Sequence, residues 1–237
     1  MENKILKALV FEKKHDVKGR LYHYTQVHMT YNSNYIEGNK LTEDQVRMIF
    51  EIASFIPHKN EPINTNDILE TVNHFDLFNY MIDTIGEALS QELIKKFHDI
   101  IKRGTSDSRL PWYRIGDYKL FPNEVAGIAT SAPENVAAEM ENLIREYPDT
   151  PSLEEIVEFH VAFERIHPFQ DGNGRVGRMI MFRECLRNNI MPIIIEETYK
   201  VSYYTGLKEF LSKPEHLISI CRNMQDIYSK KLSQLKI

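Results

Sequence analysis

His167-Pro168-Phe169-Gln170-Asp171-Gly172-Asn173-Gly174-Arg175-Val176-Gly177-Arg178 packs an imidazole, a carboxylate, two guanidiniums and three glycines into twelve positions. Upstream, Ile156, Phe159, Phe163 and Ile166 recur at helical spacing, and Pro168 disfavours the αR conformation at His167, so a helix is predicted to stop there. Downstream, Val176, Met179, Ile180 and Leu186 resume a helical stripe. Gly172-Asn173-Gly174 should therefore lead from one helix into a second. Glycines let the backbone approach a ligand closely, and the free N–H groups of a first helical turn attract an anion. Arg175 and Arg178 lie three apart on that turn, where positive charge opposes the macrodipole. A shared anion explains them better than helix stability does.

These parts describe a polyphosphate cradle with a base attached. Loop amides and arginines would hold phosphates, Asp171 would hold a hard divalent cation such as Mg²⁺, and His167 would take a proton from an attacking hydroxyl. Nucleotidyl or phosphoryl transfer is the implied chemistry. Neither a Walker-type glycine-lysine loop nor a kinase-type catalytic loop occurs elsewhere in the chain.

The stretch resembles the signature of the Fic family, His-x-Phe-x-(Asp/Glu)-Gly-Asn-Gly-Arg-x-x-Arg, and meets every specified position with His167, Phe169, Asp171, Gly172, Asn173, Gly174, Arg175 and Arg178. The resemblance implies an all-helical Fic bundle with a short β-hairpin flap, and AMP transfer from ATP to a Ser, Thr or Tyr hydroxyl of a protein. On that reading His167 is the base and Asp171 the Mg²⁺ ligand. Gly172, Asn173, Gly174 and Arg175 hold the phosphates, Arg178 holds the γ-phosphate, and Phe169 is core. The family commonly has asparagine four residues past its last arginine, whereas this chain has Phe182.

Outward from the motif, Ser33-Asn34-Tyr35-Ile36-Glu37-Gly38 places Ser33 and Glu37 one helical turn apart, with Gly38 as a natural C′ residue. It resembles the family's inhibitory helix, (Ser/Thr)-x-x-x-Glu-(Gly/Asn), in the class that carries it N-terminally, here around residues 20–38. The resemblance implies that Glu37 pairs with Arg178 and so denies it to the γ-phosphate. Between residues 112 and 122, Trp112 to Leu120 alternate roughly by two between prolines, which predicts the hairpin and suits a flap that holds the target segment by strand addition. Tyr204, in the pair Tyr203-Tyr204, is the candidate for an adenine pocket, with aromatic core as the competing reading.

The remaining chain reads as helices. Thr42 to Gln45 and Ser152 to Glu155 are capping boxes, Asn66, Ser90 and Pro133 mark further starts, and Leu217 to Leu232 form a closing amphipathic helix. His74 and His98 lack partners at metal spacing and read as structural or surface side chains. With 237 residues and 42% hydrophobic content, one domain over 1–237 is expected. A net charge of −5 gives no pull toward nucleic acid or anionic membrane. Cys185 and Cys221 fall on apolar faces as reduced thiols, and with no leader, membrane span or lipidation motif the expectation is a cytoplasmic protein. The implied partners are ATP and a target protein, with auto-modification and homo-oligomers both compatible. Two other readings stay open: removal of AMP, with Glu37 positioning a water, and an idle nucleotide-binding interaction module.

Overall fold

The helical periodicities become ten α-helices among the residues that the computed structural model describes, 3–57, 62–125 and 128–235. The ends of the expected 1–237 domain, residues 1–2 and 236–237, lie outside them. The helices are α1 (Lys4–Lys14), α2 (Leu21–Ile36), α3 (Glu43–Ile52), α4 (Thr65–Asp83), α5 (Gln91–Lys102), α6 (Val136–Glu146), α7 (Leu153–Ile166), α8 (Asn173–Arg187), α9 (Lys200–Glu209) and α10 (Pro214–Gln234). Both capping boxes form as read, on α3 from Thr42 and Gln45 and on α7 from Ser152 and Glu155. Two starts differ from the reading. Asn64, not Asn66, caps α4, because the Asn66 carboxamide is bonded instead to the hydroxyl and N–H of Ser106 at 2.7 and 3.0 Å. Helix α6 begins after a turn, closed by Asn135 N–H to the Ala132 carbonyl at 2.9 Å, rather than at Pro133.

The stripe expected for α8 is also replaced by something stronger. Every residue from Asn173 to Leu186 is buried, so α8 is the central helix, packed against α2, α4, α5 and α7. A helix buried all round must pair its own charges. Arg183 does so with Glu184 and with the carbonyl of Thr84. Phe182 is fully buried between Phe78 and Tyr228, with ring centroids at 5.6 and 6.3 Å. Truncation of such a ring to alanine costs about 3–5 kcal/mol, so the departure from the family pattern serves the core. Cys185 and Cys221 are buried and free.

The hairpin is displaced from its expected place. Residues 112–122 form turns and bends, and the two short paired strands lie just after them, β1 (Glu124–Val125) antiparallel to β2 (Ile128–Ala129). Alternation failed as a guide because the segment's polar groups pair with other elements. Gly116 turns at φ +69° and donates to His98 Nδ1 at 3.0 Å, the Tyr118 hydroxyl reaches Gln91 at 2.7 Å, and Lys119 N–H bonds the Pro168 carbonyl at 2.9 Å. Among the described residues no helix is long and apolar enough to cross a membrane.

Candidate active site

Helix α7 stops where Pro168 requires it to. His167 caps it in the left-handed region at φ +50°, its N–H still bonded to the Phe163 carbonyl at 2.9 Å. The reversal turns the imidazole back over the helix end, with Nδ1 3.3 Å from the Glu164 carbonyl oxygen. A carbonyl can only accept, so Nδ1 carries the proton and Nε2 presents its lone pair. Burial lowers the ring's pKa to about 4, assisted by the nearby Lys119 and opposed by the Glu164 carbonyl. At neutral pH His167 is uncharged and able to accept a proton.

The loop after it is held from both sides. Gly172 takes φ +82° to turn the chain into α8, and as a glycine it leaves the first-turn N–H groups without a capping side chain. The Asn173 carboxamide accepts from Phe169 N–H and donates to the Phe169 carbonyl, both at 2.8 Å. Its two polar ends thus shape the loop. Phe169 is core as expected, and His98 stacks on it at 4.0 Å while donating from Nε2 to the Asp171 carbonyl at 3.1 Å. His98 is structural, as read, and it buttresses the motif itself.

One side of the cradle is a charge cluster that the sequence did not reveal. The Asp171 Oδ2 lies 2.6 Å from Lys102 Nζ and 3.4 Å from Arg175. Lys102, buried on α5, also meets Glu70 at 2.8 Å and Asp107 at 3.0 Å, and Glu70 on α4 pairs with Arg175 at 2.5 Å. Burial pushes the Asp171 carboxyl up, but Arg175 and Lys102 outweigh it and hold the group well below the usual carboxylate range. Asp171 remains 49% exposed. Among the described residues no three His, Cys, Asp or Glu side chains are grouped to enclose a metal. A cation held here by Asp171 would draw most of its shell from phosphates and water, as Mg²⁺ commonly does.

The other side is formed by the end of α2. Arg178 donates from Nη2 to Glu37 Oε1 at 2.7 Å and to the Ser33 carbonyl at 2.8 Å, and from Nε to the Ser33 hydroxyl at 3.1 Å. The helix ends there because Gly38, at φ +96°, closes a Schellman turn: its N–H bonds the Tyr35 carbonyl and Asn39 N–H bonds that of Asn34. Glu37 consequently projects from a helix end onto the first turn of α8, so close that a Cβ at Gly174 would collide with its Oε1. An anionic oxygen of the protein's own occupies the helix N-terminus where a phosphate would be favoured. Tyr203 lies buried beside Arg178, its ring centroid 6.0 Å from the guanidinium carbon. The Tyr204 hydroxyl reaches the Ile36 carbonyl at 3.4 Å, which puts it at the same edge.

A further buried cation joins the end of α7 to Asn123 and Thr130. Lys119 Nζ donates to Asn123 and Thr130 at 2.7 Å and to the Ile166 carbonyl at 3.2 Å, and Asn123 donates to the Phe169 carbonyl at 2.9 Å. With three neutral acceptors and no carboxylate among them, burial lowers the Lys119 pKa to about 8. The structure thus gathers His167, Asp171, Arg175, Arg178, the loop glycines, Ser33, Glu37 and Tyr204 at one end of α8. It adds Glu70, Lys102 and Lys119, which no local spacing could have shown, and Glu164, which lies three residues before His167.

Residues 88–185, from just before α5 to near the end of α8, match the Fic/DOC family model. The chain is 28% identical over 192 residues to protein adenylyltransferase Fic of Nematostella vectensis, covering 78% of this chain and 42% of that one. It is 26% identical over 149 residues to a probable protein adenylyltransferase of Aquifex aeolicus, covering 60% and 45%. The chain thus spans less than half the length of these curated relatives. Among solved structures, a Fic-domain-containing signalling protein from Bacteroides thetaiotaomicron superposes with a TM-score of 0.75 at 20% identity, covering 98% of this chain and 95% of that one. Fic-1 from Caenorhabditis elegans gives 0.67 at 18% identity, covering 98% and 71%. At those identities the likeness is one of fold, and it agrees with the motif and with the family model, which identifies residues 88–185 as a Fic domain.

Proposed function

We propose that this protein transfers AMP from ATP to a Ser, Thr or Tyr hydroxyl of a protein, and that Glu37 holds it in an inhibited state. The target hydroxyl gives its proton to His167 Nε2 as its oxygen bonds to the α-phosphorus. The bond from that phosphorus to the bridging oxygen breaks and pyrophosphate leaves. The first-turn N–H groups of α8, with Arg178, face the negative charge that this step rearranges. Asp171 would hold Mg²⁺, which when bound neutralises phosphate charge. Tyr204 stands at the edge where a nucleotide base would rest.

The observation that carries the inhibited state is the Glu37 carboxylate, bonded to Arg178 at 2.7 Å and lying against Gly174. It takes both the cation and the space that a γ-phosphate would use, so ATP is excluded or bound unreactively. The relatives named as adenylyltransferases support the transfer chemistry over removal of AMP or idle binding. Mass spectrometry of the Glu37→Gly protein mixed with ATP, Mg²⁺ and lysate tests the reading. A covalent AMP adduct that disappears in Glu37→Gly with Asp171→Ala is the expected result. Loss of AMP from pre-modified protein, or no change at all, would replace transfer by hydrolysis or by the idle module.

A further inference from the structure

Glu164 has no part in the phosphate cradle, yet it is set against its base. Its carboxyl is buried in the last turn of α7, with Oε2 3.9 Å from His167 Nδ1 and Oε1 without a hydrogen-bond partner. The chain makes room for it: a Cβ on Gly177 would stand 2.7 Å from Oε1 and 3.0 Å from the His160 ring. A buried carboxyl lacking a partner costs free energy that an apolar side chain would avoid. Its backbone carbonyl already receives Nδ1–H of His167, so backbone and side chain of one residue face the same nitrogen.

We propose that Glu164 is the positioning residue of His167, its carboxylate holding the Nδ1–H form and stabilising the imidazolium created when Nε2 takes the hydroxyl proton. The proposal rests on the AMP-transfer reading above for its consequence in turnover, but not for the pairing itself. Two rings and four charged or phenolic groups lie near the carboxyl: His160 and His167 from α7 and its end, Arg178 from α8, Tyr203 and Tyr204 from α9 and Glu37 from the end of α2. Burial pushes Glu164 up to about 8, Arg178 opposes the rise and Glu37 adds to it. Lys119, bonded to the Ile166 carbonyl, disfavours the charged form of His167. A carboxylate on the Nδ1 side is therefore what the imidazolium needs, and burial, with a smaller contribution from Glu37, opposes its ionisation.

The test compares Glu164→Gln with its parent in the Glu37→Gly background. In the parent, kcat should rise with pH as Glu164 ionises. In the glutamine variant that rise should vanish and kcat on the alkaline side should fall roughly tenfold, with KM for ATP unchanged. A retained rise, or a loss of kcat and KM together at every pH, would overturn the proposal. Nitrogen-15 NMR of the imidazoles in the wild-type protein, with His167 assigned by His167→Gln, judges the pairing without turnover. The expected result is a proton on Nδ1 and a second perturbation of the His167 signals as Glu164 titrates. A proton on Nε2, or no such perturbation, rejects the pairing even if Glu164→Gln does not fold. If no variant forms an AMP adduct, the transfer reading fails while the NMR result still decides whether Glu164 and His167 are coupled.

Discussion

Arg175 and Arg178 occupy the same turn of α8 and are equally enclosed, at 2% and 3% exposure, yet their partners differ in kind. Arg175 is paired with Glu70, which projects from within α4 and is shared with Lys102. Arg178 is paired with Glu37, which sits at the C-cap of α2 ahead of a glycine and is 24% exposed. A carboxylate within a helix cannot leave without moving the helix. One at a helix end can turn to water by changing a few side-chain dihedrals. Identical side chains three residues apart thus meet a carboxylate fixed within a helix on one side and a carboxylate at a helix end on the other. The identity of the arginine decides neither role.

The comparison supposes that both arginines face one reacting centre, and His167→Ala should show this most strongly. Losing the base is expected to slow transfer by roughly 10²- to 10⁴-fold in the Glu37→Gly background while calorimetry still detects ATP. Lost ATP affinity would move His167 from chemistry into binding. Next comes Arg175→Ala, which leaves Glu70, Asp107 and Asp171 facing the single ammonium of Lys102. Breaking a buried ion pair from one side typically costs about 3–5 kcal/mol. Chemical denaturation should show that loss, and Arg178→Ala should cost clearly less because Glu37 can turn to solvent. Equal losses would erase the distinction between framework and contact.

Glu37→Gly sharpens the same contrast from the other side. Freeing a charge-assisted contact worth on the order of 1.5–3 kcal/mol should raise auto-modification with labelled ATP roughly ten- to hundredfold. Adding Arg178→Ala should abolish the gain. A structural Glu37 would instead lower stability and add no activity.

The smallest effect expected is on the pH dependence of stability. Burial lowers His74, His98 and His160 to about 3 and His167 to about 4, against an ordinary value of about 6.5. Below that ordinary value the unfolded chain binds protons that the folded chain refuses, so stability is full above about pH 6.5 and falls as pH drops toward 3. Glu164, raised to about 8, acts oppositely: the folded state keeps a proton that the unfolded one releases above its ordinary value, so stability falls as pH climbs through 8. Thermal midpoints should therefore peak between about pH 6 and 7. In Glu164→Gln the alkaline decline should flatten while the acid one stays.

Where neighbours in sequence are neighbours in space, residues alone were enough. The stop of α7 at His167 follows from Pro168, the capping boxes from Thr42 to Gln45 and Ser152 to Glu155, and the Ser33 and Glu37 pairing surface from one helical turn ended by Gly38. Each is a contact within a few residues, and local sterics or a single hydrogen bond decide it. A cradle can likewise be read from the motif alone, because its glycines and charges lie within twelve positions.

Only the tertiary structure decided what those groups face. Glu70 and Arg175 are separated by more than a hundred positions, as Lys102 and Asp171 are by 69, and neither spacing carries a local signal. Alternation at 112–120 misled because those residues bond to α5 and to the motif loop, and α8 looked one-sided because its buried charges are paired, Arg183 with Glu184 in the same helix and Arg175 and Arg178 with Glu70 and Glu37 from elsewhere. Asn173 and Glu164 show the limit most plainly. The polar atoms of one close on a neighbouring backbone, those of the other lie buried beside the base, and a side chain's use is set by which acceptors and charges packing brings within about 4 Å.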